Sequence, residues 1–210
     1  MKSFASYYFP TLLRPRRTFE ALMNEPRRLR FGLFALLISI MLYTFVYIFL
    51  TMRGGAPSSF TPWLNIPKDV YYSYDRFMLA PSMFGAAVLA AGVAHLLSKL
   101  FAGKGSFEDT FSAFCIAIGL GTLISLIHDF TDTFLAAIGL LDVNWYEVAL
   151  NTPTIWRAVL WTFYGASLLC FLILFPVAAA ASQRLRPLPA LLVGLLGFVI
   201  YQVMFLVFNR

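Results

Sequence analysis

The residues of this chain that could do acid–base or metal chemistry are few, and they are set among long apolar runs. His128 and Asp132 stand four positions apart, the spacing that puts both on one face of a helix, and Asp129 is adjacent. Such a group resembles half of a metal site, and ionisable residues inside apolar spans are functional candidates by default. A metal needs three or four ligands, and the other histidine is His95. His95 precedes a polar turn at 102–107 by about seven residues, whereas His128 follows it by about twenty-one, which leaves the two about 20 Å apart along straight helices. A shared metal is therefore not expected. His95 is expected to be hydrogen-bonded within the helices, and His128, Asp129 and Asp132 are expected to be structural or to sit at the outer interface. No metal ligand, cofactor or catalytic residue is assigned, and an enzyme built on His128, Asp129 and Asp132 is kept as an alternative. Cys115 and Cys170 form no paired motif and read as small apolar residues. Gly103-Lys104-Gly105-Ser106 lacks the spacing of a phosphate-binding loop.

The elements that must carry these residues follow from composition. Of 210 residues, 60% are hydrophobic and 12% charged, well away from the balance of soluble domains. Continuous apolar runs near the length of a bilayer-crossing helix recur, and their continuity excludes an alternating barrel pattern. The chain is expected to be all-α: a polytopic membrane protein with a five-helix transmembrane bundle and an N-terminal interfacial helix. The spans are placed at 31–52, 81–101, 109–127, 153–182 and 189–208. The interfacial helix is placed at 15–24, with Phe19, Leu22 and Met23 on one face, ended by Pro26. Residues 1–30 form a basic cytoplasmic or interfacial segment and 31–210 the membrane domain. Ser106 and Asp109 have the spacing of a helix cap, Pro153 suits a first helical position, and Pro176 is expected to kink the fourth span. Between the first two spans, 54–59 reads as a flexible entry, and Trp63, Tyr71, Tyr72, Tyr74 and Phe77 as an interfacial belt. Residues 134–141 are too short to span, and 142–150 suit a short amphipathic helix.

Small residues recur every fourth position on the second and third spans. Folding the chain about the central turn pairs Ser82 with Ser125, Ala86 with Gly121, Ala90 with Ala117 and Ala94 with Ala113. Such rows let membrane helices approach closely where lipid supplies no hydrophobic drive, so a tight hairpin of these two helices is expected.

Basic residues are unevenly spread. Segments before the first span, between the second and third, and between the fourth and fifth carry seven, two and two Lys or Arg, against five on the opposite side. The bias places the N-terminus in the cytoplasm and the C-terminus outside. Arg14, Arg16, Arg17, Arg27, Arg28 and Arg30 form a basic interface that suits anionic lipid or an acidic partner. No nucleic-acid-binding motif accompanies the charge. The partners expected are the lipid bilayer, anionic lipids, a membrane or cytoplasmic protein, and a second copy of the chain.

Pro15-x-x-Thr18-Phe19 ahead of an arginine-flanked helix, and the turn Leu100-Phe101-Ala102-Gly103-Lys104-Gly105-Ser106-Phe107, resemble the Yip (Ypt-interacting protein) domain family, in particular its compact prokaryotic members. The resemblance covers nearly the whole chain. It implies a multi-pass helical membrane protein without enzymatic activity that organises or binds membrane partners or lipids. Eukaryotic members are linked to Rab-type small GTPases and carry a longer N-terminal region with an Asp-Leu-Tyr-Gly-Pro type motif, which this sequence lacks. A prokaryotic plasma membrane is therefore the expected location, with an ER or Golgi membrane as the alternative. A transporter, channel or lipid-moving protein is the other alternative; the polar residues noted for a path are His95, Ser39, Thr44, Ser167 and Gln202. The orientation has a direct test. A reporter active only outside the cytoplasm is expected to work when fused after Arg210 and to fail when fused near Lys104; the reverse pattern refutes the topology.

Overall fold

The computed structural model describes residues 3–55 and 66–209. Pro57, Ser58, Ser59 and Trp63 of the expected flexible entry and aromatic belt lie outside the described residues. Among those described, every regular element is helical: α1 (Ala5–Tyr8), α2 (Pro10–Leu13), α3 (Pro15–Met23), α4 (Arg28–Met52), a 3-10 turn (Lys68–Val70), α5 (Tyr71–Leu100), α6 (Phe107–Ala137), α7 (Val143–Asn151), α8 (Ile155–Gln183) and α9 (Pro187–Phe208). Five of these, α4, α5, α6, α8 and α9, are long and apolar enough to cross a membrane. The chain is an all-α membrane protein. Helices are the form in which a segment satisfies its own backbone groups where water is absent.

Two boundaries differ by many residues from the sequence expectation, and α8 opens at Ile155, so Pro153 lies before the helix and not at its first position. The second span was expected to open at Pro81, but Pro81 lies inside α5, which starts at Tyr71. The added turns are amphipathic: Tyr71, Tyr72, Asp75 and Leu79 are buried, whereas Tyr74, Phe77 and Met78 face outward. That one-sided burial holds the segment helical, and neighbouring groups can accommodate the amide that proline lacks. Tyr71 and Tyr72 are thus packed within protein and are not part of an outer belt. The third span also runs further, to Ala137. It stops where Gly139 takes a positive φ of 82° and the Leu140 amide donates back to the Leu135 carbonyl at 2.9 Å, a glycine-ended C-terminus. Asp142 then caps α7 by accepting from the Trp145 amide at 2.9 Å. At α6, Ser106 and Asp109 cap one another reciprocally. The Ser106 amide donates to Asp109 Oδ2 at 2.9 Å and the Asp109 amide to Ser106 Oγ at 3.1 Å.

The chain divides into two compact units, with each long helix contributing to both. Unit 1 comprises Met1–Ile38, Phe84–Gly121 and Leu168–Val203; unit 2 comprises Ser39–Met83, Thr122–Ser167 and Met204–Arg210. Within unit 1, glycines mark where helices meet most closely. A Cβ on Gly32 of α4 would stand 2.7 Å from the Ser112 Cα of α6, and one on Gly119 of α6 would stand 3.0 Å from the Ala35 oxygen of α4. A Cβ on Gly194 of α9 would fall 2.4 Å from the Pro176 backbone of α8. Ala86, Ala90, Ala94, Ala113 and Ala117 are wholly buried, and Gly121 lies against the Phe171 ring of α8, 2.2 Å from where its Cβ would be. In unit 2, Ser82 and Ser125 are also buried. The Ser82 hydroxyl meets Asn209, whose amide nitrogen donates to it at 2.8 Å, while Ser125 donates to the Thr122 carbonyl at 2.9 Å within its own helix.

The backbone approach at Gly32 sets up a comparison. Gly32→Leu has no flexible neighbour to displace, so a loss in the upper part of the ~1–3 kcal/mol typical of overpacking is expected. Gly85→Leu, at a position with nothing within 4 Å, is expected to be neutral. Thermal unfolding of the two variants in one detergent checks this; equal midpoints refute the tight α4–α6 approach.

Candidate functional site

In unit 1 the ends of α5, α6 and α8 are tied by one carboxamide. Gln183 is fully buried. Its Nε2 donates to Thr110 Oγ1 at 2.6 Å and to the Ser106 carbonyl at 3.0 Å, and lies 3.0 Å from His95 Nδ1. Its Oε1 accepts from Ser98 Oγ at 2.9 Å, and its backbone carbonyl accepts from the Lys104 amide at 3.0 Å. The central turn is fitted to this knot. A Cβ on Gly105 would overlap the Ser182 carbonyl oxygen at 1.8 Å, so only glycine passes there. His95 is hydrogen-bonded within the helices, through a partner that the sequence did not single out. Gln183 closes a long apolar run just before Arg184, a position that reads as a span boundary.

In unit 2, His128 and Asp129 come together inside protein and not at the surface: they are 6% and 9% exposed. Three hydroxyl-bearing aromatic side chains, of Tyr43, Tyr146 and Tyr164, close over the pair. His128 Nδ1 lies 3.0 Å from Asp129 Oδ1 and 3.9 Å from Asp132 Oδ2. His128 Nε2 lies 3.0 Å from the Tyr146 hydroxyl of α7. Tyr43 donates to Asp129 Oδ2 at 3.1 Å, and Tyr164 to Asp129 Oδ1 at 3.3 Å. With the Nδ1 hydrogen toward Asp129, Nε2 accepts the Tyr146 hydrogen. Burial pushes the Tyr146 hydroxyl up from its ordinary value, and the charges of Asp132 and Asp129 push the same way, so it stays protonated as a donor. Both ring nitrogens of His128 are thereby occupied. Among the described residues no three His, Cys, Asp or Glu side chains are grouped to hold a metal.

Asp75 was not singled out in the sequence as a membrane-buried acid. It is fully buried in unit 2, and neither carboxyl oxygen has a hydrogen-bond partner among the described residues.

The N-terminal helices form a third candidate, in unit 1. Tyr7, Tyr8, Phe19 and Leu22 are buried, and Phe4 packs edge-on against Phe34 of α4 at 4.9 Å. The six arginines of the expected basic interface divide. Arg28 is used internally, paired with Asp109 at 2.5 Å; Arg27 pairs with Glu25 at 3.1 Å, and Arg16 with Glu20 at 3.0 Å. Arg14, Arg17 and Arg30 are exposed and enter no ion pair among the described residues. Beside them Phe9, Leu12 and Leu13 are exposed, Leu13 to 85%.

No known family, characterised protein or solved structure matches this chain.

Two outcomes are expected here. Gln183→Leu removes the carboxamide shared by Ser98, Thr110 and His95, while Ser98 keeps the His95 carbonyl and Thr110 the Ser106 carbonyl, at about 0.5–1.5 kcal/mol for each hydrogen bond lost. Its thermal midpoint in detergent is expected to fall well below that of Arg184→Leu at an exposed neighbouring position; equal midpoints refute the knot. Glu25 is held below the usual carboxylate range, chiefly by the Arg27 hydrogen bond and also by the Tyr7 hydroxyl. A lowered folded-state value means that this contribution is present above the usual carboxylate range and is lost as pH falls through the lowered value. Protease protection of the N-terminal helices is expected to weaken in that acid window, and Glu25→Gln is expected to remove the pH dependence.

Proposed function

We propose that this chain is a non-enzymatic, Yip-type integral membrane protein of a prokaryotic plasma membrane. Its N-terminal helices hold anionic lipid at the cytoplasmic leaflet and so organise lipids or partners there. The observation that carries the reading is the joint exposure of Arg14, Arg17 and Arg30 with Phe9, Leu12 and Leu13. Apolar side chains that enter the headgroup boundary beside free guanidinium groups are the chemistry of an anionic-lipid contact. Arg16, Arg27 and Arg28 have acidic partners within the chain, so Arg14, Arg17 and Arg30, without an ion pair among the described residues, are available to an outside anion. The non-enzymatic part follows the resemblance to the Yip family, and His128 is engaged within the chain by Asp129 and Tyr146.

The test uses the full chain. Released from nanodiscs of mixed phosphatidylglycerol and phosphatidylcholine into a mass spectrometer, it is expected to retain phosphatidylglycerol preferentially. Each basic residue near a charged leaflet contributes about 1 kcal/mol, so replacing Arg14, Arg17 and Arg30 with Gln is expected to weaken retention on the order of 100-fold. Equal retention of both lipids, or no change in the triple variant, refutes the reading. A fold loss on replacing His128 is compatible with it; a loss of substrate turnover is not.

A further inference from the structure

Asp75 stands apart from the other acids of unit 2. Asp129 has Tyr43, Tyr164 and His128, and Asp132 has the Thr133 amide at 2.8 Å. Asp75 is 0% exposed, and among the described residues neither of its oxygens meets a donor in hydrogen-bond geometry. The groups around it can be named. Tyr47 reaches it from α4, and Tyr71 lies beside it on its own helix; neither hydroxyl meets hydrogen-bond geometry to the carboxyl. Tyr72 closes the cage, with its ring stacked on Tyr47 at 5.6 Å and against Tyr71 at 5.3 Å. Tyr43 stands behind Tyr47 at 5.6 Å. The nearest cation in sequence, Arg76, is turned over the Phe77 ring at 4.8 Å, and no ion pair joins it to Asp75 among the described residues.

A carboxylate in such a place would be an uncompensated buried charge, the most unfavourable form a side chain can take in a dry interior. The start of α5 favours negative charge, but that effect fades within the first turn of a helix, and Asp75 lies beyond it. Two species relieve the charge: a proton on the carboxyl, or a metal cation between the carboxyl and the tyrosines. A cation needs several oxygens directed at one point, whereas a proton needs one oxygen. Tyr47 and Tyr71 bring two hydroxyls toward the carboxyl, fewer oxygens than a cation shell takes.

We propose that Asp75 is an internal proton-binding site, a neutral carboxylic acid enclosed by Tyr47, Tyr71 and Tyr72. Release breaks one O–H bond. The proton passes to water and the electron pair stays on Asp75 as carboxylate. The charge so formed has no partner in the closed cage, so deprotonation must draw a tyrosine hydroxyl or water onto it. Proton loss and local opening of unit 2 are therefore one event. This stands independently of the anionic-lipid reading, which rests on residues of unit 1.

Infrared spectroscopy of the full chain in lipid nanodiscs tests it, with bilayer and protein otherwise unchanged. At neutral pH the wild type is expected to show the carbonyl stretch of a protonated carboxyl, moving down in heavy water and vanishing at alkaline pH. Asp75→Asn is expected to lack that band while keeping its helical circular dichroism. Tyr47→Phe is expected to shift the band without removing it. A wild type without the band, or a band unchanged in Asp75→Asn, overturns the proposal. A band that emerges only after sodium and potassium are removed assigns the cage to a metal cation and overturns it equally. Failure of Asp75→Asn to fold also counts against it, because the amide is the nearest neutral replacement for a protonated acid.

Discussion

A polar side chain carried into hydrocarbon has no water to turn to, and this constraint orders the interior of both units. The backbone meets it by becoming helix. The side chains meet it by gathering. Gln183 is suited to its place because a carboxamide both donates and accepts, so one residue serves Ser98, Thr110, His95 and the Ser106 carbonyl together. In unit 2 the same requirement assembles Tyr43, Tyr164 and Tyr146 around His128 and Asp129. Asp75 is an exception among the buried acids described, and an ionisable exception in a dry interior points to function before structure.

Close packing is the second determinant. With little hydrophobic drive between helices in lipid, contact depends on how nearly backbones can approach. In unit 1, Gly32 and Gly119 admit α4 to α6, and Gly194 admits α9 to α8 at Pro176. Rows of small residues on α5 and α6 are buried as well, but Gly121 makes room for an aromatic ring of α8. A small residue states that something comes close without naming what does.

The arginines show how tertiary pairing changes the meaning of a charge. Six read alike in the sequence. Arg28 is bound to Asp109 next to the reciprocal Ser106–Asp109 cap, so it serves the joint between α4 and α6. Arg14, Arg17 and Arg30 keep their charge for the outside, beside the apolar side chains of α2. The exposed basic surface arises from this division and not from the total charge.

The sequence by itself determined the class of the protein, because hydropathy is summed along the chain and needs no neighbours. The five apolar spans, the α6 cap and the short α7 helix were all legible for that reason: each is encoded within a few turns of its own segment. His128 and Asp132 on one face were legible as well, since helical spacing alone places them. Partners distant in sequence were not. Nothing local in Gln183 names His95 or Thr110, and nothing in Tyr43 or Tyr164 names Asp129. The start of α5 was misplaced because a proline suggests a beginning locally, whereas burial of Tyr71, Tyr72 and Leu79 carries the helix past it. Asp75 in its sequence is an acid among tyrosines near the end of a span. Only the tertiary structure decided that it is enclosed, with no hydrogen-bond partner among the described residues, because burial belongs to what surrounds a residue and not to the residue.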